Sequence, residues 1–175
     1  VFMVTVGLGS ILVGMVEFRR HARLPIHAHR NGWGYLSRAP MLGWSYPAWS
    51  KLWRLAGVDH MHVNGLRNKF SEPDDSVIRS ARSLLTPLFD DKPFIPMPVF
   101  SSGQTAAQAV DTYAALGNAD LIYAAGGGIM AHPGGVAAGV VALREAWDAA
   151  IAGVSLAEHA RTHPALAVAL EALAR

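Results

Sequence analysis

Short apolar runs alternate with helical stretches along the whole chain, and this alternation constrains the fold more than any other feature. Runs with strand character lie at 1–6 (VFMVTV), 24–29 (LPIHAH), 59–63 (DHMHV), 94–100 (FIPMPVF) and 121–124 (LIYA). Helical patterns follow them: one ending near Arg23, then 46–56, 76–85, 105–116 and 134–152. A last helix is expected over 155–175, with Ser155 as its cap and Glu158 three residues on. Strand–helix alternation of this kind builds a parallel sheet with right-handed crossovers. The polar residues gather in the loops after the strands, where a (β/α)8 barrel carries its site. A closed barrel needs eight units and roughly 250 residues. The 175 residues hold about five units, and Val1 already lies inside an apolar run. The expectation is an α/β fold forming part of a TIM barrel, read from a longer protein.

Composition narrows the function classes. Apolar residues make up 51% and charged residues 16%, which argues for a packed core and against disorder. Fifteen basic against 13 acidic residues give a net charge of +2, with no basic stripe that would point to nucleic acid or a membrane surface. The chain has no cysteine, so disulfides and thiolate metal sites are excluded, and a cytoplasmic location is expected. Residues 121–143 carry no formal charge and are long enough to span a bilayer. The glycines at 126–128, Pro133, Gly134 and Gly135 break that run too often for lipid to tolerate. The run at 1–16 is interrupted by Gly7 and Gly9 and lacks the basic start of a signal peptide.

Four groups of residues can carry chemistry. His27 and His29, two apart on a strand, share a face, and Arg30 follows where the strand ends. His60 and His62 repeat the pattern on the next strand, while Met61 and Val63 point the other way. One such pair reads equally well as hydrogen-bonded core histidines. Two pairs on neighbouring strands gather four imidazoles, which offer metal ligation, proton transfer or hydrogen bonds to anions. Arg30 has the planar fork that grips a phosphate. Lys69 stands in the polar loop after the second pair, where a lysine is more often simply solvated. Ser101, Ser102 and Gly103 follow the fourth strand, and Gly126, Gly127 and Gly128 follow the fifth. Glycines let backbone N–H groups converge on an anion, although tight strand-to-helix turns need glycine too. No dinucleotide fingerprint, Walker sequence or catalytic triad is visible.

These motifs, in this order, resemble the barrel of the RuBisCO large chain. LPIHAHR resembles its fifth strand, GVDHMH its sixth, and Lys69 falls at the position of the loop lysine. PVFSSG resembles the seventh-strand segment, and AAGGGIMAHPGGVAAGVVALREAW the eighth strand with its long helix. Residues 1–6 are then the fourth strand, so that 1–175 is the C-terminal portion of the barrel domain, about strands 4–8 with their helices. The resemblance implies roles. Arg30, His62 and Ser101 hold one phosphate end. Gly103, Gly126 and Gly127 hold the other through backbone N–H groups. His29 and Lys69 are the catalytic candidates: His29 bonds substrate hydroxyls and relays protons, and Lys69 closes over the substrate on a mobile loop. His27 and His60 support them. It also implies Mg2+ bound by residues upstream of Val1, with none of its ligands in this segment. A homodimer or larger homo-oligomer, a phosphorylated sugar substrate, and no nucleic-acid or membrane partner complete the picture.

Trp33 stands where carboxylating members carry a further histidine, and Ser71 replaces an acidic residue after the lysine. The pattern is therefore closer to the RuBisCO-like (form IV) proteins, which act as isomerases, enolases, decarboxylases or transcarboxylases through an enediolate. Three alternatives stay open: a genuine ribulose-1,5-bisphosphate carboxylase, a metal-dependent hydrolase using both histidine pairs, and a non-catalytic binding barrel.

Overall fold

The computed structural model describes residues 1–5, 11–39, 41 and 43–173. The strands are β1 (Phe2–Thr5), β2 (Ile26–His29), β3 (His60–His62), β4 (Met97–Phe100) and β5 (Ile122–Tyr123). The helices are α1 (Ile11–His21), α2 (Trp33–Ser37), α3 (Tyr46–Leu55), α4 (Asp74–Leu85), α5 (Ala109–Leu116), α6 (Gly126–Met130), α7 (Gly135–Ala152), α8 (Leu156–Ala160) and α9 (Pro164–Leu173). The hydrogen-bonded strand order, β1-β2-β3-β4-β5, is the order of the chain. Two compact units make up the structure: Val1–Val63 with Arg79–Val99, and Asn64–Ile78 with Phe100–Arg175.

In the first unit β1 to β4 pair in parallel, as the β/α alternation requires. The register puts Met3, His27, His60 and Met97 in one row. Val4, Ala28, Met61 and Pro98 form the next row, on the opposite face. Ile26, Ala28 and Met61 are fully buried, so the non-histidine positions of β2 and β3 build the core as expected. Asp59 locks the register at the foot of β3. Its carboxylate accepts the Ile26 N–H at 2.6 Å and pairs with Arg19 of α1 at 2.8 Å. α3 starts at Ser45, whose hydroxyl accepts the Ala48 N–H, and Pro47 suits its first turn. Its apolar side stacks Tyr46, Trp49 and Trp53 with Trp33 of α2, centroid to centroid at 4.9–5.7 Å.

In the second unit the Ala124 N–H donates to the carbonyl of Phe100, the last residue of β4, at 2.7 Å. Thr105 and Gln108 form a capping box that starts a short 3-10 turn (Ala106–Gln108) leading into α5. Ala106, Ala109, Ala146 and Leu166 form the core here, with Trp147 and Leu170 against them. Small side chains let α7 lie close to its neighbours. A Cβ on Gly139 would run into the backbone of Ile129 in α6.

The strand and helix expectations hold with shifted ends, and three differ in kind. Residue 6 of the expected first strand, and the expected helical residues 7–10, lie outside the described residues. The single helix over 155–175 is two helices, α8 and α9, because Pro164 lacks an N–H and fits only a first turn. Ser155 does cap α8, accepting the Glu158 N–H. α2 and α6, five residues each, occupy stretches expected to be loops. No described helix is long and apolar enough to cross a membrane.

Candidate active site

The first unit brings both histidine pairs together. Side chains of β2 and β3 project from the same face, and the 4.7–4.9 Å strand spacing leaves neighbouring imidazoles in contact. The His27 and His62 rings have centroids 4.7 Å apart and His29 and His62 4.5 Å, while His60 meets His27 edge-on at 5.5 Å. His27 and His62 are buried, and the Nε2 atoms of the two face each other at 2.6 Å. That bond needs one bare nitrogen and one N–H. Burial, reinforced by His29, His27 and the positive Arg30, pushes the His62 imidazole down to about 3. Burial also lowers His27 and His29, with the charge of Arg30 adding to the shift on His29. His27, His29 and His62 are therefore held neutral at pH 7 and can accept or donate hydrogen bonds.

Arg30 is buried beside this cluster and lies over the Tyr46 ring, 5.2 Å from its centroid. The Tyr46 hydroxyl donates to the His62 carbonyl at 2.7 Å. Tyr46 thus supports two of the expected phosphate-binding residues at once. The sequence offered no signal for this role beyond an aromatic at the start of α3.

The imidazoles do not suit a common metal ion. Nitrogens sharing a tetrahedral ion at 2.0–2.1 Å stand about 3.3 Å apart, wider than the 2.6 Å between His27 and His62. Among the described residues no three His, Cys, Asp or Glu are placed to hold an ion.

The second unit contains Lys69, Ser101, Gly103, Gly126 and Gly127. Lys69 and Gly103 are exposed, Ser101 half-buried. Ser102 and Gly103 both have positive φ, 70° and 90°, which turns the chain sharply after β4. The Lys69 N–H donates to the Ser102 carbonyl at 3.1 Å, and the Ser101 N–H to the Asn64 carbonyl at 3.1 Å. The lysine loop and the serine–glycine turn are therefore joined directly. The three glycines of α6 have different surroundings. A Cβ on Gly126 or Gly127 would meet open space, whereas on Gly128 it would lie 2.9 Å from the Gln104 carbonyl oxygen and from Thr105 Cα. Room for a ligand exists at the first two, and the third is a packing glycine. Beneath lies a cavity of about 210 Å³, bounded by Gly103, Gly127, Gly128, His132, Ala142 and Ala169.

Residues 1–173 match the family described as the ribulose bisphosphate carboxylase large chain, catalytic domain. A 3-oxo-isoapionate-4-phosphate transcarboxylase/hydrolase from Xanthobacter autotrophicus is 64% identical over 168 residues, covering 95% of this chain and 41% of the relative. A 3-oxo-isoapionate-4-phosphate decarboxylase from Rhizobium etli is 46% identical over 167 residues, covering 94% and 40%. The crystal structure of a rubisco-like protein from Burkholderia fungorum superimposes with a TM-score of 0.93 at 46% identity, covering 97% of this chain and 42% of that one. The chain thus spans about two fifths of the length of the curated relatives it matches.

Proposed function

The chain belongs to the family of the ribulose bisphosphate carboxylase large chain, catalytic domain, and on that premise we propose that its protein is a RuBisCO-like enzyme acting on a phosphorylated 3-oxo sugar acid. The observation that carries this reading is the neutral imidazole cluster of His27, His29 and His62 beside the buried Arg30 guanidinium. The named activities of the transcarboxylase/hydrolase and decarboxylase relatives supply the substrate class.

In a 3-oxo acid the breaking carbon–carbon bond leaves its electron pair on the neighbouring carbonyl as an enolate, and the carbon is protonated later. Fixed dipoles and cations around that oxygen stabilise it by several kcal/mol. In the first unit Arg30 and His62 grip a phosphate and so orient the reacting carbons. His29 bonds the substrate hydroxyls and, being neutral, relays a proton from one of them to the enolate carbon. In the second unit Gly103, Gly126 and Gly127 offer backbone N–H groups to an anion, and Lys69 supplies a positive charge on the adjoining loop. His27 and His60 hold the ring orientations. The Mg2+ that the resemblance implies finds no oxygen ligand set among the described residues. The histidines take hydrogen-bonding roles rather than ligating it.

The whole protein is read as a cytoplasmic homodimer or larger homo-oligomer. Turnover of a 3-oxo-4-phosphate sugar acid by the full-length enzyme tests the reading. Loss of the phosphorylated substrate is expected, whether its carboxyl group is released as labelled CO2 or transferred. Indifference to the phosphate would contradict it.

A further inference from the structure

We propose that Asn64 is a positioning residue that makes the Lys69 loop and the serine–glycine turn one prefixed element, so that Lys69 is held in place before substrate arrives. The catalytic consequence rests on the function proposed above; the structural claim stands without it.

Asn64 is buried and adopts positive φ, 67°, a conformation that asparagine tolerates better than most residues. Both polar groups of its side chain are used, one across to the turn and one within the loop. Its Oδ1 accepts the Ser102 hydroxyl at 2.9 Å, and its Nδ2 donates to the Glu72 carboxylate at 2.6 Å. Its carbonyl accepts the Ser101 N–H at 3.1 Å. The far end of the same loop is tied back, because the Lys69 N–H donates to the Ser102 carbonyl at 3.1 Å. Gln104, almost wholly buried, donates to the Leu66 carbonyl at 3.0 Å. Asn68 donates to the Gly65 and Glu72 carbonyls at 3.0 and 2.9 Å. Arg67 pairs with Asp111 and donates to the Ala107 carbonyl.

A loop with this many ties cannot swing as a free lid without breaking several hydrogen bonds together. On this proposal the Lys69 loop is stitched to the turn that carries Ser101 and Gly103 before substrate arrives. Ser102 is the partner through which Asn64 acts, and neither need touch the substrate.

The test is amide hydrogen exchange over residues 64–72 and 100–105 in the full-length protein, alongside steady-state kinetics. Wild type should show protected amides at Lys69 and Ser101. Ser102→Ala and Asn64→Gly, which keeps the positive φ, should each speed exchange at both amides by about tenfold, and the double variant should go no further because one bond is shared. kcat should fall by about tenfold in the same variants with KM changed by less than about threefold. Fully additive single effects, or a Lys69 amide exchanging as fast as in a free chain in wild type, would overturn the proposal. If wild type turns over no sugar phosphate, the proposed function fails while the exchange result still decides this point.

Discussion

The Nε2 atoms of His27 and His62 meet at 2.6 Å across the β2 and β3 pair, a separation that one proton bridges and two cannot occupy. The relationship ties the candidate site to stability, because both rings are buried and both are held neutral.

A pH dependence follows. An unfolded histidine titrates near 6.5, whereas His62 in the fold is pushed down to about 3 by burial and its neighbours. Between those values the unfolded chain binds the proton that the folded one refuses, so stability falls as pH falls, by up to about 1.4 kcal/mol per pH unit for one such proton. Above pH 7 this group contributes no slope. Urea midpoints between pH 7.5 and 5 should drop more steeply in wild type than in His62→Gln. Parallel profiles would show that His62 is not held neutral.

Arg54 makes a second, purely structural prediction. Its buried guanidinium donates to four backbone carbonyls, those of Phe94, Ser83, Thr86 and Pro93, at 2.5–3.3 Å. A lysine has neither the fork nor the reach to serve all four. Arg54→Lys should cost about 2–4 kcal/mol in chemical denaturation, with kcat per folded molecule unchanged. A loss under about 0.5 kcal/mol would refute this.

The glycines of α6 divide by neighbour. Gly128→Ala should destabilise by about 1–3 kcal/mol, because its Cβ meets the backbone of Gln104 and Thr105. Gly126→Ala and Gly127→Ala, facing open space, should stay within about 0.5 kcal/mol of wild type yet raise KM for the phosphorylated substrate. Thermal melts beside KM measurements separate the two effects. Equal behaviour of all three would remove Gly126 and Gly127 from the binding surface.

These contrasts show what was legible in the sequence. The alternating histidines of β2 and β3 were readable because a strand's period of two is rigid, and full burial of Ile26, Ala28 and Met61 between them follows from it. α2 and α6 were not readable. Each has only five residues and a glycine at or beside its start, and no side chain caps either one. The strand expected over 94–100 begins only at Met97, since Phe94 turns with φ of 44° and Pro96 cannot donate to a ladder. Tyr46 and Asn64 escaped notice for another reason. Their partners, His62 and Ser102, lie 16 and 38 residues further on, and only the folded backbone brings them within hydrogen-bond reach.

The role of Arg30 is tested most directly by kcat/KM of the full-length enzyme for a 3-oxo-4-phosphate sugar acid and for the same compound without phosphate, in wild type and Arg30→Ala. Loss of charge-assisted hydrogen bonds worth about 1.5–3 kcal/mol corresponds to roughly 10–100-fold. Wild type should favour the phosphorylated compound by at least that factor, and Arg30→Ala should erase most of the preference through KM. Equal turnover of both compounds by wild type, or a preference untouched by Arg30→Ala, would contradict the assignment of Arg30 as the phosphate grip.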